Sequence, residues 1–228
     1  MRAAAGITTI MTTDALRRLL VWLSPAFPTG GFAYSHGLEW AVEDGSVRDE
    51  ATLTAWVEDV LAHGAGRCDA ILLHHAHAAA DDALPGLCAL GVAAAFGRER
   101  RLETVAQGNA FVRAASVWGG ASIARLAELN APYPIAVGAA CADHDIAADA
   151  AAPAYLQAFA ASLISAAVRL VPLGQTSGLR VLAAQEPVVG AVAAETAGAG
   201  LDELGGACLR SDIAALRHET QETRLFRT

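Results

Sequence analysis

Charge is scarce in this sequence, and its balance is wrong for nucleic acid. Asp, Glu, Lys and Arg make up 18% of 228 residues, 24 acidic against 16 basic, for a net charge of −8. A phosphate-binding face needs concentrated basic side chains, so no nucleic acid is expected and protein partners are favoured. Cysteine is also sparse. Cys68, Cys88, Cys141 and Cys208 stand far apart with no C-x-x-C pair, which fits reduced thiols packed as small core residues better than a disulfide framework. The sequence offers no β-α alternation, so a parallel sheet is disfavoured. It shows no fixed-period repeat and no linker that would divide it. A secretory leader is not expected either, because the apolar stretch Leu19 to Leu23 is short and no small-residue cleavage site follows it. The longest run without a formal charge, Ala150 to Val168, is mostly alanine and includes Pro153, Gln157, Ser162 and Ser165. Its transfer energy is weak, so it reads as a buried core helix and not a membrane span. A cytoplasmic protein is the expectation.

Helical periodicity is what the sequence has in quantity. Leu16, Leu19, Leu20 and Leu23 fall at i, i+3, i+4 and i+7 behind a cap at Thr13. After Asp49, the residues Leu53, Trp56, Val57, Val60 and Leu61 form an apolar stripe that stops near Gly64 and Gly66. Pro153 suits the first turn of a helix whose Leu156, Phe159, Leu163 and Leu170 share a face up to the break at Pro172. The alanine-rich segments 66–80, 87–96, 98–118 and 122–129 also read as helices. Residues 133–141 are either extended or a loop leading into a helix, given Pro132 and Pro134. Residues 188–206, rich in Ala and Gly, read as a loosely packed helix and loop. The whole is an all-α, single-domain bundle of roughly eight to ten helices over residues 1–228.

The least ordinary segment is Ser24 to Trp40, SPAFPTGGFAYSHGLEW. Pro25 and Pro28 restrict the backbone, while Gly30 and Gly31 permit turns or close approach. A rigid, shaped loop is predicted, with structural roles at Pro28, Gly30, Gly31, Phe32, Ser35 and Gly37. The plainer reading makes Phe27, Phe32 and Tyr34 ordinary core. No lysine followed by Ser or Thr comes after the glycines, so this is not a phosphate loop. Ala33-Tyr34-Ser35-His36-Gly37 resembles a nucleophile elbow, which keeps a serine hydrolase using Ser35 as an alternative; that turn, however, needs a strand and a sheet. Ser35 reads more simply as the N-cap of a helix carrying Leu38, Glu39, Trp40 and Val42 and ending at Gly45.

Two further features carry candidate chemistry. His74 and His77, three apart, share a helix face near His63 and Cys68 and are weak candidates for a borderline metal such as nickel. A polar face or subunit contact is the plainer reading, and a standalone nickel-binding protein stays open as an alternative. The segment 209–228, LRSDIAALRHETQETRLFRT, concentrates Arg210, Arg217, Arg224 and Arg227 in an acidic chain, with Ile213, Leu216, Leu225 and Phe226 as apolar points. Such a segment behaves as a tail that orders on meeting a partner, so residues 207–228 are read as a partner-binding tail that can be disordered when free. An ordinary solvated terminus is the alternative.

The loop resembles the P-x-G-x-F-x-Y-S-H-G-L-E signature of the UreF family of urease accessory proteins. The tail is similar to that family's D-I-A-x-M-R-H-E-x-x-x-x-R-L-F-R-S ending, and Pro172-Leu173-Gly174-Gln175-Thr176 lies between the two in family order. Leu216 replaces the usual Met, Thr228 the final Ser, and Leu179 stands where many members carry Gln. The resemblance implies an all-α homodimer without enzymatic turnover, bridging the scaffold UreD (also called UreH) and the P-loop GTPase UreG for nickel insertion into apo-urease. It also implies no tightly bound cofactor and only transient nickel within the complex. Candidate partner-binding residues are Tyr34, His36, Glu39, Gln175, Thr176, Arg217, His218, Glu219, Arg224, Phe226 and Arg227, with Tyr34 expected to hydrogen-bond Arg224 or Arg227.

Overall fold

A computed structural model describes residues 11–228, and among these every regular element is helical. Twelve α-helices follow in order: α1 Thr13–Trp22, α2 Leu38–Glu43, α3 Glu50–His63, α4 Ala65–Ala78, α5 Leu84–Ala94, α6 Gly97–Ala115, α7 Ala121–Leu126, α8 Tyr133–Asp143, α9 Ala148–Leu170, α10 Gln175–Ala184, α11 Glu186–Thr196 and α12 Leu209–His218. Short 3₁₀ turns lie at Gly31–Ala33, Ser116–Trp118 and Leu201–Glu203.

The α3 helix forms where cap and period agree. Asp49 accepts from the Thr52 N–H at 2.9 Å while Thr52 Oγ1 accepts from the Asp49 N–H at 3.1 Å, a reciprocal box that satisfies two orphan donors. Its predicted stripe, Leu53, Trp56, Val57, Val60 and Leu61, is buried throughout. The α1 stripe differs from expectation. The cap is Thr12, one residue early, and Ala15, Leu19 and Trp22 face inward while Leu16 and Leu20 are exposed. The reason is Trp22, whose ring packs edge-on to Phe111 and Trp118 at centroid distances of 5.8 and 6.0 Å. Seating that large side chain turns the leucines at 16 and 20 outward.

Pro153 also falls elsewhere than predicted. The helix α9 begins at Ala148, so the proline sits inside it. The carbonyl that loses its donor belongs to Asp149, an exposed residue where water can replace the bond. Residues 133–143 settle as helix α8, with Pro134 in the first turn, and its side chains from Pro134 to Cys141 are all buried. The segment expected to pack loosely holds α11, which buries Val189, Val192 and Thr196. Arg67 ties down its far end through Glu195 at 2.8 Å and the Glu203 carbonyl at 2.9 Å.

Apolar burial collects in two groups. One gathers α1, α5, α7, α8 and the inner face of α6; the other gathers α2, α3, α10, α11 and α12. The helices α4 and α9 contribute to both and join them. The apolar α9 is long enough to cross a membrane by length and composition alone, and here it packs against α2, α3, α4, α8, α10 and α11. Cys88, Cys141 and Cys208 are buried and Cys68 is half-buried, all four as free thiols.

Candidate partner-binding site

The loop of residues 24–37 and the tail of residues 219–228 meet. Local chemistry starts at His36 and Gly37, both left-handed at φ 58° and 77°, a region glycine adopts freely and histidine rarely. Gly37 has no room for a side chain, since a Cβ there would stand 2.7 Å from the Ala215 backbone N of α12. The helix α2 starts immediately after it. Ser35 caps that helix from two residues further back than a standard cap, its Oγ accepting the Glu39 N–H at 3.3 Å. The same Ser35 holds the tail: its N–H and its Oγ donate to the Thr228 carbonyl at 2.8 and 2.6 Å. One step along, the Arg227 N–H donates to the Ala33 carbonyl at 2.8 Å.

Glu39 is the second anchor. Its carboxylate accepts the backbone N–H groups of Leu225 at 2.7 Å and Phe226 at 3.0 Å. It also faces His218 Nε2 at 3.1 Å, and the other ring nitrogen, Nδ1, faces Glu99 at 2.7 Å. Arg224 completes the chain with a 2.9 Å bond to Glu99. Buried carboxylates are costly unless they collect donors, and the tail supplies them. Glu219 returns the service by accepting the N–H groups of Arg98 and Glu99 at 2.7 and 3.3 Å, so a tail carboxylate sits on the positive N-terminal end of α6. Phe226 is buried beneath the Arg169 guanidinium, 4.4 Å from its ring.

Beneath the tail, α6 contributes an ionic cluster that the sequence reading passed over. Arg100 bonds Asp69 at 2.8 Å and approaches Glu103 at 3.3 Å; Tyr155 donates to Asp69 at 2.7 Å. Thr228 Oγ1 donates to Glu103 at 3.1 Å. Burial alone would raise the Glu103 pKa, but Arg100, His36 and Thr228 bring it down to about 2. At Asp69 burial outweighs Arg100 and Tyr155, and its pKa rises. Local spacing offered only Arg100, Glu103 and Gln107 on one face of α6, while the partners Asp69 and Tyr155 come from α4 and α9.

The hydrogen bond expected between Tyr34 and Arg224 or Arg227 is not made among the described residues, although Arg227 lies near Tyr34. Burial chiefly raises the Tyr34 pKa, and the nearby Arg227 guanidinium opposes that rise. Arg224 turns to Glu99 instead. Tyr34, His36, Glu39, His218 and Phe226 are buried within the chain, whereas Arg217, Arg224 and Arg227 remain on the surface. Gln175 and Thr176 open α10, exposed, and no hydrogen bond among the described residues joins them to the tail. Phe32, one of the aromatic residues read as core, is 76% exposed. His77 Nε2 pairs with the Ile146 carbonyl at 2.7 Å, and His74 Nε2 is buried without a partner. Among the described residues no three His, Cys, Asp or Glu side chains are grouped to hold a metal ion.

The UreF family model matches residues 47–186, and full-length relatives extend the likeness well past both ends of that match. The chain belongs to the UreF family. It is 51% identical to the urease accessory protein UreF of Rhodopseudomonas palustris strain BisB18, over 94% of this chain and 92% of the relative. It is 52% identical to that of strain BisA53, over 98% and 97%, and 51% identical to that of Cereibacter sphaeroides strain ATCC 17029, over 94% and 99%. Against the UreF signature, Leu216 and Leu179 are exposed, so neither departure disturbs the core of this chain. Thr228 keeps the hydroxyl that bonds Glu103. The nucleophile-elbow reading of the UreF loop fails on geometry: Ser35 is fully buried, its hydroxyl is held by Thr228, and no strand precedes it among the described residues.

Proposed function

We propose that this UreF-family chain is a non-catalytic scaffold of urease maturation in the cytoplasm, acting as a homodimer that joins UreD/UreH to the UreG GTPase. Nickel is cargo passing through the complex to apo-urease, not a resident cofactor of this chain. The observation that supports the reading is the convergence of the two family motifs into one seat, where Ser35 and Thr228 bond across 193 positions of sequence. The seat displays Arg227 beside Tyr34, with Arg224 on the same tail. A tail already seated before encounter binds without the entropy cost of ordering at that moment. In this reading the chain recruits UreG and also modulates its GTP hydrolysis.

The test is to express the cognate urease operon with and without this reading frame and measure nickel per urease active site together with urea hydrolysis. Apo, inactive urease only in its absence is the expected result. Fully metallated urease in both strains would refute the maturation role. Binding of UreG to the purified complex, compared between the natural chain and Arg227→Ala, then tests the bridging role separately.

A further inference from the structure

A cavity of about 270 Å³ lies between the tail, α4 and the start of α6, close to the lower end of small-ligand pockets. Its character changes with depth. The rim is exposed and apolar, made by Ala94, Phe96 and Gly205, while the floor is buried and ionic. Four carboxylates line it, Asp69, Glu99, Glu103 and Asp212, against the single guanidinium of Arg100.

Partners inside the chain account for only part of that charge. Glu99 and Glu103 are served by the tail and by Arg100. Both donors to Asp69, Arg100 and Tyr155, converge on Oδ2, and none of the described groups donates to Oδ1. The Asp212 carboxylate, half-buried, takes no hydrogen bond from any described group. Burial raises its pKa, and His36 opposes that rise. His36, 8% exposed, faces the same space with an Nδ1 that has no hydrogen-bond partner; Glu103 lies 3.4 Å away but out of line. Carboxylate oxygens on two separate elements, α4 and α12, are therefore open above an acidic floor, with the His36 imidazole beside them.

We propose that this cavity receives a primary ammonium on a short aliphatic stem, either a lysine side chain presented by a partner or a free alkylamine, with the head between Asp69 and Asp212. A metal ion is the poorer fit, because no three ligating side chains are grouped for one among the described residues. A guanidinium is also poorer. It donates in one plane, as a fork suited to a single carboxylate, while an ammonium rotates three donors toward acceptors in different directions. The stem lies along Ala94 and Phe96 as lysine methylenes do on apolar surfaces. All 16 basic residues of this chain are arginine, so the side chain does not come from a second copy. The proposal does not rest on the urease reading.

Calorimetric titration of the full chain would use n-pentylamine, Nα-acetyl-lysine methylamide, the neutral 1-pentanol and Ni²⁺. Saturable binding of at least one amine with no binding of pentanol is expected. Asp212→Asn should weaken it by about tenfold or more, since a charge-assisted bond is lost, and Ala94→Trp should block the rim. Pentylamine binding alone would identify a small amine as the occupant; binding of the lysine derivative as well would identify a partner's side chain. Failure of both amines to bind, equal binding of pentanol, or amine binding unchanged in both variants would overturn the proposal. So would Ni²⁺ binding that Asp212→Asn abolishes in the absence of any amine binding. Asp212 has no partner in the chain, so Asp212→Asn should fold; circular dichroism checks this before titration.

Discussion

Glu39 illustrates how much one side chain holds here. It sits on a six-residue helix and binds two backbone N–H groups and an imidazole from residues more than 170 positions away. Glu39→Ala removes the acceptor from all three donors, and buried donors left unpaired cost about 1–3 kcal/mol each. Hydrogen exchange should show the Leu225 and Phe226 amides losing protection well before the α8 amides. Unchanged protection would mean that Phe226 burial alone seats the tail. Tyr34 and Arg227 make a second test, in which a double-mutant cycle on partner binding should return a coupling of about 0.5 kcal/mol or more; a value of zero would separate them. Glu103 gives the pH prediction. Its folded pKa of about 2 lies below the ordinary carboxylate value of 4.5, so its contribution is present above 4.5 and fades as pH falls toward 2. Glu103→Gln should therefore be less stable at pH 7, and its denaturation midpoint should drop less steeply with acid than that of the natural chain.

Among elements, the pairing of α2 with α12 depends on a missing side chain. Gly37→Ala puts a Cβ against the α12 backbone at a positive φ, so both strain and clash oppose it, and a loss of several degrees in Tm is expected, about 1–3 kcal/mol. Gly45→Ala is the control: φ is 80°, yet nothing lies within 4 Å of the new atom, so it should cost less. If the two variants melt together, strain accounts for the whole effect. Element identity was legible where the hydrophobic period and a cap coincided, as in α3. The helix of α1 was read correctly, but its inward face was not, because Trp22 took the place expected for Leu16 and Leu20. Residues 133–141 were ambiguous because a helix buried on every side has no polar face to mark its period. In the candidate site, the loop and tail motifs that meet could be picked out by resemblance. The Arg100 cluster could not, because its partners Asp69 and Tyr155 come from α4 and α9, and no local spacing brings three helices together.

For the molecule as a whole, the tail closes the fold as well as offering a surface. Deleting residues 219–228 would strip Glu39, Glu99 and Glu103 of tail donors, uncap α6 and empty the slot filled by Phe226. A truncated chain should melt at lower temperature and fail to capture UreG together with UreD/UreH. Full capture by the truncated chain would move the partner surface elsewhere. The bond between Ser35 and Thr228 spans 193 positions, which makes the seat a matter of timing. At ordinary rates of synthesis, roughly 5–20 residues per second, Ser35 emerges from the ribosome about 10–40 s before the residue it holds. Throughout that interval the loop waits without its partner, and α2 gains its packing only once α9 and α12 have followed it.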